Sequence, residues 1–159
     1  MKIDIDPASR LDVPDLVTLN AIVQAHHVAL SPQDFHAMAD PDRVSTLFER
    51  QLEDPAQTIL LAREDGVAAG YVWYEMLEPH DGTFTVSGSR IYVHHIGVAP
   101  DHRRRGIARR LMNRVIADAG RREIGLSSFS ANTEARAFFE SLGFAPFRIT
   151  FRKKGALDR

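Results

Sequence analysis

Three observations predict a mixed α/β fold. Strand-like alternation and helix-like periodicity follow one another in the order βααββ, β, α, β, α, β. Hydrophobic residues make up 44% of a 159-residue chain, enough for one domain with a full core over residues 1–159. An apolar segment, Ile91 to Val98, runs through Pro100 into the basic, glycine-containing stretch Arg103-Arg104-Arg105-Gly106 and then into a helix. In such an order the strands before the two late helices can lie parallel, and ligands settle beyond the carboxyl ends of strands at helix starts.

Each element has a local cause. Lys2 to Ile5 alternates polar and apolar residues, which suits a short strand with one buried face. Asp12 can cap a helix whose first turn holds Pro14 and whose stripe is Leu16, Leu19, Ile22 and Val23, ending near His27. Ser31-Pro32 and Asp40-Pro41 repeat that start signal, so residues 32–52 read as one broken or two short helices with Val44, Leu47, Phe48 and Leu52 inward. Thr58 to Ala62 and Val67 to Leu77 form a hairpin around Glu64-Asp65-Gly66. Residues 78–89, EPHDGTFTVSGS, are turn formers and read as a loop.

Beyond Gly106, Ile107, Leu111 and Val115 make an apolar stripe flanked by Ala108, Met112 and Ile116, opposite Arg105, Arg109, Asn113 and Arg114. Ile124 to Phe129 reads as a strand, Thr133 to Leu142 as a helix closed by Gly143, and Phe147 to Lys153 as a last alternating strand. Repeats, low-complexity segments and interdomain linkers are absent from the sequence.

Composition narrows the function. Without cysteine there are no disulfides, thiolate metal sites or thiol nucleophile. A formal net charge of -1 gives no overall pull toward nucleic acid or anionic membrane, so the basic run Arg103 to Arg105 needs a local ligand. The acidic amino-terminal stretch does not resemble a signal peptide, and no window approaches the ~20 apolar residues of a spanning helix. The expectation is a cytoplasmic protein with neither a nucleic-acid nor a membrane partner.

The basic stretch is built as an anion cradle. The first N–H groups of a helix lack intrahelical partners and sit at the positive end of the macrodipole. Gly106 admits a ligand close to the backbone, and Ala108 keeps the next turn slim. A solvated basic face is the alternative for the arginines alone.

The pattern Arg103-x-x-Gly106-x-Ala108 after Gly97-Val98-Ala99-Pro100 resembles the acetyl-coenzyme A loop of the GCN5-related N-acetyltransferases (GNAT). A second motif of that family is similar to Asn132-x-x-Ala135-x-x-Phe138-Phe139-Glu140-x-x-Gly143-Phe144. The resemblance implies a mostly antiparallel central sheet of six to seven strands flanked by helices, with a V-shaped splay between the fourth and fifth strands. It implies acetyl-coenzyme A as co-substrate, with no metal. Ile96, Gly97 and Val98 would run along the pantetheine arm, with the backbone of Ile96 and Val98 pairing to it. The segment Arg103, Arg104, Arg105, Gly106, Ile107, Ala108 and Arg109 would hold the pyrophosphate, chiefly through the N–H groups of Arg104 to Arg109. Asn132 would meet the pantetheine or the thiol side, as well as or instead of capping its helix, and Phe139 would pack against the ligand or serve the core alone. A homodimer is possible in such a family.

The implied chemistry is acetyl transfer to a primary amine of a small molecule, a protein lysine or an N-terminus. An amine with a pKa near ~10.4 must lose a proton before it attacks. Along a regular strand Tyr92, His94 and Ile96 share one face while Val93 and His95 share the other, unless a bulge intervenes. Relatives that acetylate arylalkylamines carry histidine at the position of His94, and histone-directed relatives carry glutamate at that of Tyr92. His94 is therefore the candidate base, with a structural histidine as the alternative. A metal site from His94 and His95 is not expected, since neighbours on a strand point to opposite faces. Attack would be direct, in a ternary complex, with the oxyanion at a backbone N–H near Ile96.

Two positions depart from the family pattern. Phe139 stands where a tyrosine commonly acts as general acid, so Tyr92, Ser128, Ser130 or water would protonate the leaving thiolate. Ser127 stands where N-terminal acetyltransferases tend to carry glutamate. A non-catalytic acyl-coenzyme A binding or sensor domain is the rival reading, motivated by Phe139. Tyr71, Trp73 and Glu75 share one face of their strand and either shape an amine pocket or fill the core.

Overall fold

A computed structural model describes residues 1–155 in two compact units, Met1–Ser127 and the segment from Ser128 onward. The first unit is a five-stranded sheet in the order β1-β2-β3-β6-β7, formed by Ile3–Pro7, Gln57–Glu64, Val67–Leu77, Arg90–Val98 and Glu123–Leu126. Pairing is antiparallel up to β6 and parallel between β6 and β7. The strands His80–Asp81 (β4) and Val86–Ser87 (β5) pair with each other apart from this sheet, inside the stretch expected as loop. The expected fourth and fifth strands are therefore β6 and β7.

The two sheet faces bury different helices. Helix α1 (Val13–Leu30) and helix α2 (Pro41–Glu53) join Ile59, Leu61, Tyr71 and Trp73 in one core with Leu16, Leu19, Val23 and Phe48. Helix α3 (Ile107–Ala119) buries Ile107, Leu111, Met112, Val115 and Ala119. The Tyr74 hydroxyl donates to Asp118 Oδ2 of α3 at 2.6 Å, which places Tyr74 on the α3 side.

Several ends differ from expectation for readable reasons. Helix α1 runs three residues past His27 to Leu30. Asp12 stands at its N-cap without a side-chain capping bond, because its carboxylate holds Ser9 and Arg63 instead. Ser31-Pro32 opens a turn rather than a helix, whereas Asp40 caps α2 by accepting from the Asp42 N–H at 2.9 Å. In α2, Phe48 is fully buried, while Leu47 lies on the outer side and is exposed, against expectation; Ile116 of α3 is exposed too. The hairpin turn uses Asp65 (φ 49°) and Gly66 (φ 86°), two left-handed residues as its tight geometry requires.

From Ser128 the chain forms α4 (Thr133–Glu140), capped by Asn132, which accepts from the Ala135 N–H at 3.2 Å; a turn follows in which Gly143 is left-handed. Residues 147–153, expected as a strand, form none, and Phe147, Ile149 and Phe151 are exposed. Their alternation marks a capacity for a buried face, but a strand also needs a ladder partner, and no described residue supplies one.

Candidate functional site

The site grows from an interruption in β6. Against β3, Trp73 faces His95 and Tyr74 faces Val93, so His94 is an extra residue in a bulge. The bulge overturns the expected alternation. Val93 stays with Tyr74 on the α3 side, whereas His95, opposite Trp73, turns toward α1. His94 stays there as well, its ring stacked on Trp73 at 4.6 Å, while His95 meets the same indole edge-on at 5.1 Å. Two adjacent histidines thus share one face, contrary to expectation. Ile96 pairs with Val72 and leaves the face of Tyr92 and His94. No cluster of three metal-ligating side chains exists among the described residues.

The two histidines have opposite surroundings. His94 is exposed, and its Nε2 lies 2.9 Å from Glu75 Oε2. A carboxylate only accepts, so Nε2 carries a proton and Nδ1 holds the lone pair of the neutral ring. Tyr92 sits beside it with ring centroids 5.2 Å apart, its hydroxyl 2.9 Å from Ser127 Oγ. His95 is largely enclosed. Its Nδ1 lies 3.1 Å from the Tyr71 hydroxyl and 3.3 Å from Asn20 Nδ2, a pure donor, so Nδ1 accepts and Nε2 bears the hydrogen. Asn20 Nδ2 also donates to the Tyr71 oxygen at 3.0 Å. Burial, chiefly, with the nearby His27 and His94, pushes the His95 pKa down to about 4. It is neutral at physiological pH.

The basic segment of residues 103–108 follows on the same strand. Pro100–His102 form a single 3₁₀ turn, and then Arg104 (φ 60°) and Gly106 (φ 79°) adopt left-handed conformations on either side of Arg105. Gly106 is also the N-cap of α3, whose first N–H groups lack intrahelical partners and lie at the positive end of the helix dipole. Arg103 Nε donates to the Val98 carbonyl at 3.1 Å, and Arg105 Nη1 donates to Glu64 at 2.9 Å. Both guanidinium groups are thus directed at the protein. Ile107 is buried and Ala108 partly so, and Arg109 lies on the exposed side of α3.

Strand β6 pairs with β7 only from Arg90 to Val93, so among the described residues His95 to Val98 pair with β3 alone. This parting lies on the strand that leads into the turn of residues 100–106. At Gly97 a Cβ would stand 2.4 Å from Val23 Cγ2, which lets α1 press against the strand there. Within the second unit, Phe139 is buried against the rings of Phe138 and Phe144 at 5.3 and 5.9 Å and offers no proton.

Asn20, Glu64, His102 and the Glu75–His94 pair escaped sequence reasoning. Glu75 was legible as a neighbour of Trp73, and strand pairing would have set it opposite Tyr92. The other three depend on contacts 38 to 75 residues apart in sequence.

The comparisons identify the chain as an acyltransferase that takes its acyl group from coenzyme A. The profile of the Acetyltransferase (GNAT) family matches residues 23–144, and the chain belongs to that family. It is 29% identical over 119 residues to an uncharacterized N-acetyltransferase of Mycobacterium tuberculosis, covering 73% of this chain and 70% of that protein. The crystal structure of a mutant Bacillus halodurans protein superposes with a TM-score of 0.82 at 22% identity, covering 95% and 98% of the two chains. An aminoglycoside antibiotic 6'-N-acetyltransferase from Acinetobacter baumannii gives a TM-score of 0.72 at 21% identity, with 97% and 99% covered. Acetyl-coenzyme A is the co-substrate of the family.

Proposed function

We propose that this chain transfers the acetyl group of acetyl-coenzyme A to the primary amine of a small molecule, by direct attack in a ternary complex. The observation that carries the reading is the sequence of parted strand, left-handed Arg104 and Gly106, and start of α3 within one continuous segment. The N–H groups from Arg104 to Arg109 would face the pyrophosphate, and Ile96 to Val98 would run beside pantetheine. Because Arg103 already occupies the Val98 carbonyl, pairing at Val98 would use its N–H or displace that bond. Asn132 and Phe139 are assigned to the cofactor on the family resemblance alone. The family match includes residues of both compact units, which supports one functional domain.

In the reaction, His94 Nδ1 takes the proton of the incoming amine, directly or through water, while Glu75 faces the imidazolium charge through Nε2. A backbone N–H near Ile96 stabilises the oxyanion. As the intermediate collapses, the C–S bond breaks and the thiolate takes a proton from Tyr92, or leaves as thiolate and is protonated by water, since a thiol pKa is near ~8.5. The carboxylate of Glu75 among Trp73, Tyr92 and His94 suits a cationic small amine, and the likeness to an aminoglycoside acetyltransferase supports that acceptor type.

Thiol release from acetyl-coenzyme A, followed with a panel of alkyl, arylalkyl and polycationic amines and a lysine peptide, tests the proposal. Amine-dependent release fastest with a small amine supports it. Tight coenzyme A binding without turnover on any amine sinks it in favour of a binding domain, the reading that Phe139 favours.

A further inference from the structure

We propose that Glu64 is a positioning residue for the phosphate loop, holding the turn around Arg105 in its anion-ready shape. The inference rests on the reading that this loop receives the coenzyme A pyrophosphate. Glu64 is the last residue of β2 and the one buried carboxylate among the described residues, with 3% of its surface exposed. A carboxylate so placed is costly unless donors surround it. Both of its donors come from the loop: His102 Nδ1, at the end of the 3₁₀ turn, and Arg105 Nη1 at 2.9 Å. They converge on Oε2 alone, and Oε1 is buried with no partner among the described residues.

The location of these two anchors gives the contact its purpose. His102 fixes the entrance of the loop, and Arg105 stands between the two left-handed residues. A non-glycine residue such as Arg104 persists at positive φ only where its surroundings over-determine it. Glu64 supplies that determination at the next residue. It draws the Arg105 guanidinium inward, so that backbone N–H groups rather than this side chain would meet the anion. A preorganised cradle does not spend binding energy on ordering itself when the anion arrives. The hydrogen bond from His102, chiefly, with that from Arg105, holds the Glu64 carboxyl below the usual range despite burial, so the anchor is charged throughout neutral pH.

A direct role for Arg105 makes the opposite forecast. If its guanidinium were the phosphate ligand, releasing it from Glu64 would tighten coenzyme A binding. Calorimetric titration of the full chain with coenzyme A and with pantetheine, which lacks the pyrophosphate, separates the cases. We expect E64Q to weaken coenzyme A by about tenfold or more while leaving pantetheine affinity unchanged, with faster amide exchange across residues 102–106. R105Q should behave alike, and the double variant should be no worse than either alone. H102Q, which removes the other anchor and leaves the Arg105 guanidinium in place, serves as the probe if E64Q does not fold. Equal or tighter coenzyme A binding by either variant, in a protein whose wild type prefers coenzyme A to pantetheine, overturns the role of Glu64. A wild type that binds both alike overturns the loop assignment itself and this inference with it.

Discussion

His94 Nε2 and Glu75 Oε2 lie 2.9 Å apart across neighbouring strands, which fixes the proton on the nitrogen facing the carboxylate. Nδ1 is therefore the atom that can act as base. The arrangement depends on the bulge, since a regular pleat would not turn His94 and His95 to the same side as Trp73. In such a dyad the carboxylate orients the ring and stabilises the charged form, and the histidine does the proton transfer. Removing His94 by alanine substitution should lower kcat by about 100-fold and alter the pH dependence of the rate, with little change in KM for acetyl-coenzyme A. E75Q should lower kcat by a smaller factor in the same direction. Steady-state kinetics over a pH series would reject the assignment if H94A retained the wild-type rate profile.

Stability should fall in mild acid because of His95. Its folded pKa of about 4 lies below the ordinary value of 6.5, so between the two the unfolded chain binds more protons and protonation favours unfolding. The loss begins as the pH drops through 6.5, reaches roughly 2 kcal/mol near pH 5 and levels off below the folded value. Urea midpoints measured near pH 7 and near pH 5 read this directly. H95N, which removes the titrating ring, should flatten the interval; an unchanged pH slope would exclude His95 as its source.

Gly106 isolates a conformational requirement. A Cβ there meets nothing within 4 Å, so Gly106→Ala adds no clash within the protein and acts only through the positive φ of 79°. We expect a stability cost of about 1 kcal/mol and a weaker coenzyme A complex, seen by thermal melts and calorimetry. Wild-type values of both would mean that the left-handed turn is dispensable.

Gly97→Ala probes packing instead. Its Cβ would stand 2.4 Å from Val23 Cγ2, and Val23 is buried, so α1 or β6 must shift. A cost of about 1–3 kcal/mol follows for such overpacking. Denaturant unfolding with an unaltered midpoint would show that Val23 yields freely.

Periodic and capped elements were legible in the sequence: the strand Val67 to Leu77, the stripe of α3 and the caps Asp40 and Asn132 match their chemistry residue by residue. The loop at Gly106 was legible too, because strand, glycine and helix start are contiguous. Alternation misled at His95, where one extra residue inverts the facing, and at Phe147 to Lys153, where apolar spacing carried no information about a partner strand. Glu64 was invisible for a different reason. A charged residue beside a hairpin turn looks solvent-bound until the chain forty residues on folds over it.

The half-paired stretch from His95 to Val98 leaves a seam in the sheet of the first unit that no described strand fills. On the proposed function that seam is closed by the cofactor's own amide groups, so acetyl-coenzyme A completes the protein architecturally as well as chemically. Ligand bound only by the folded form adds roughly 2.7 kcal/mol of stability at one hundred times its dissociation constant. The melting temperature of this chain should therefore report the acetyl-coenzyme A concentration around it, and a cell starved of that thioester would hold a looser, more protease-sensitive protein.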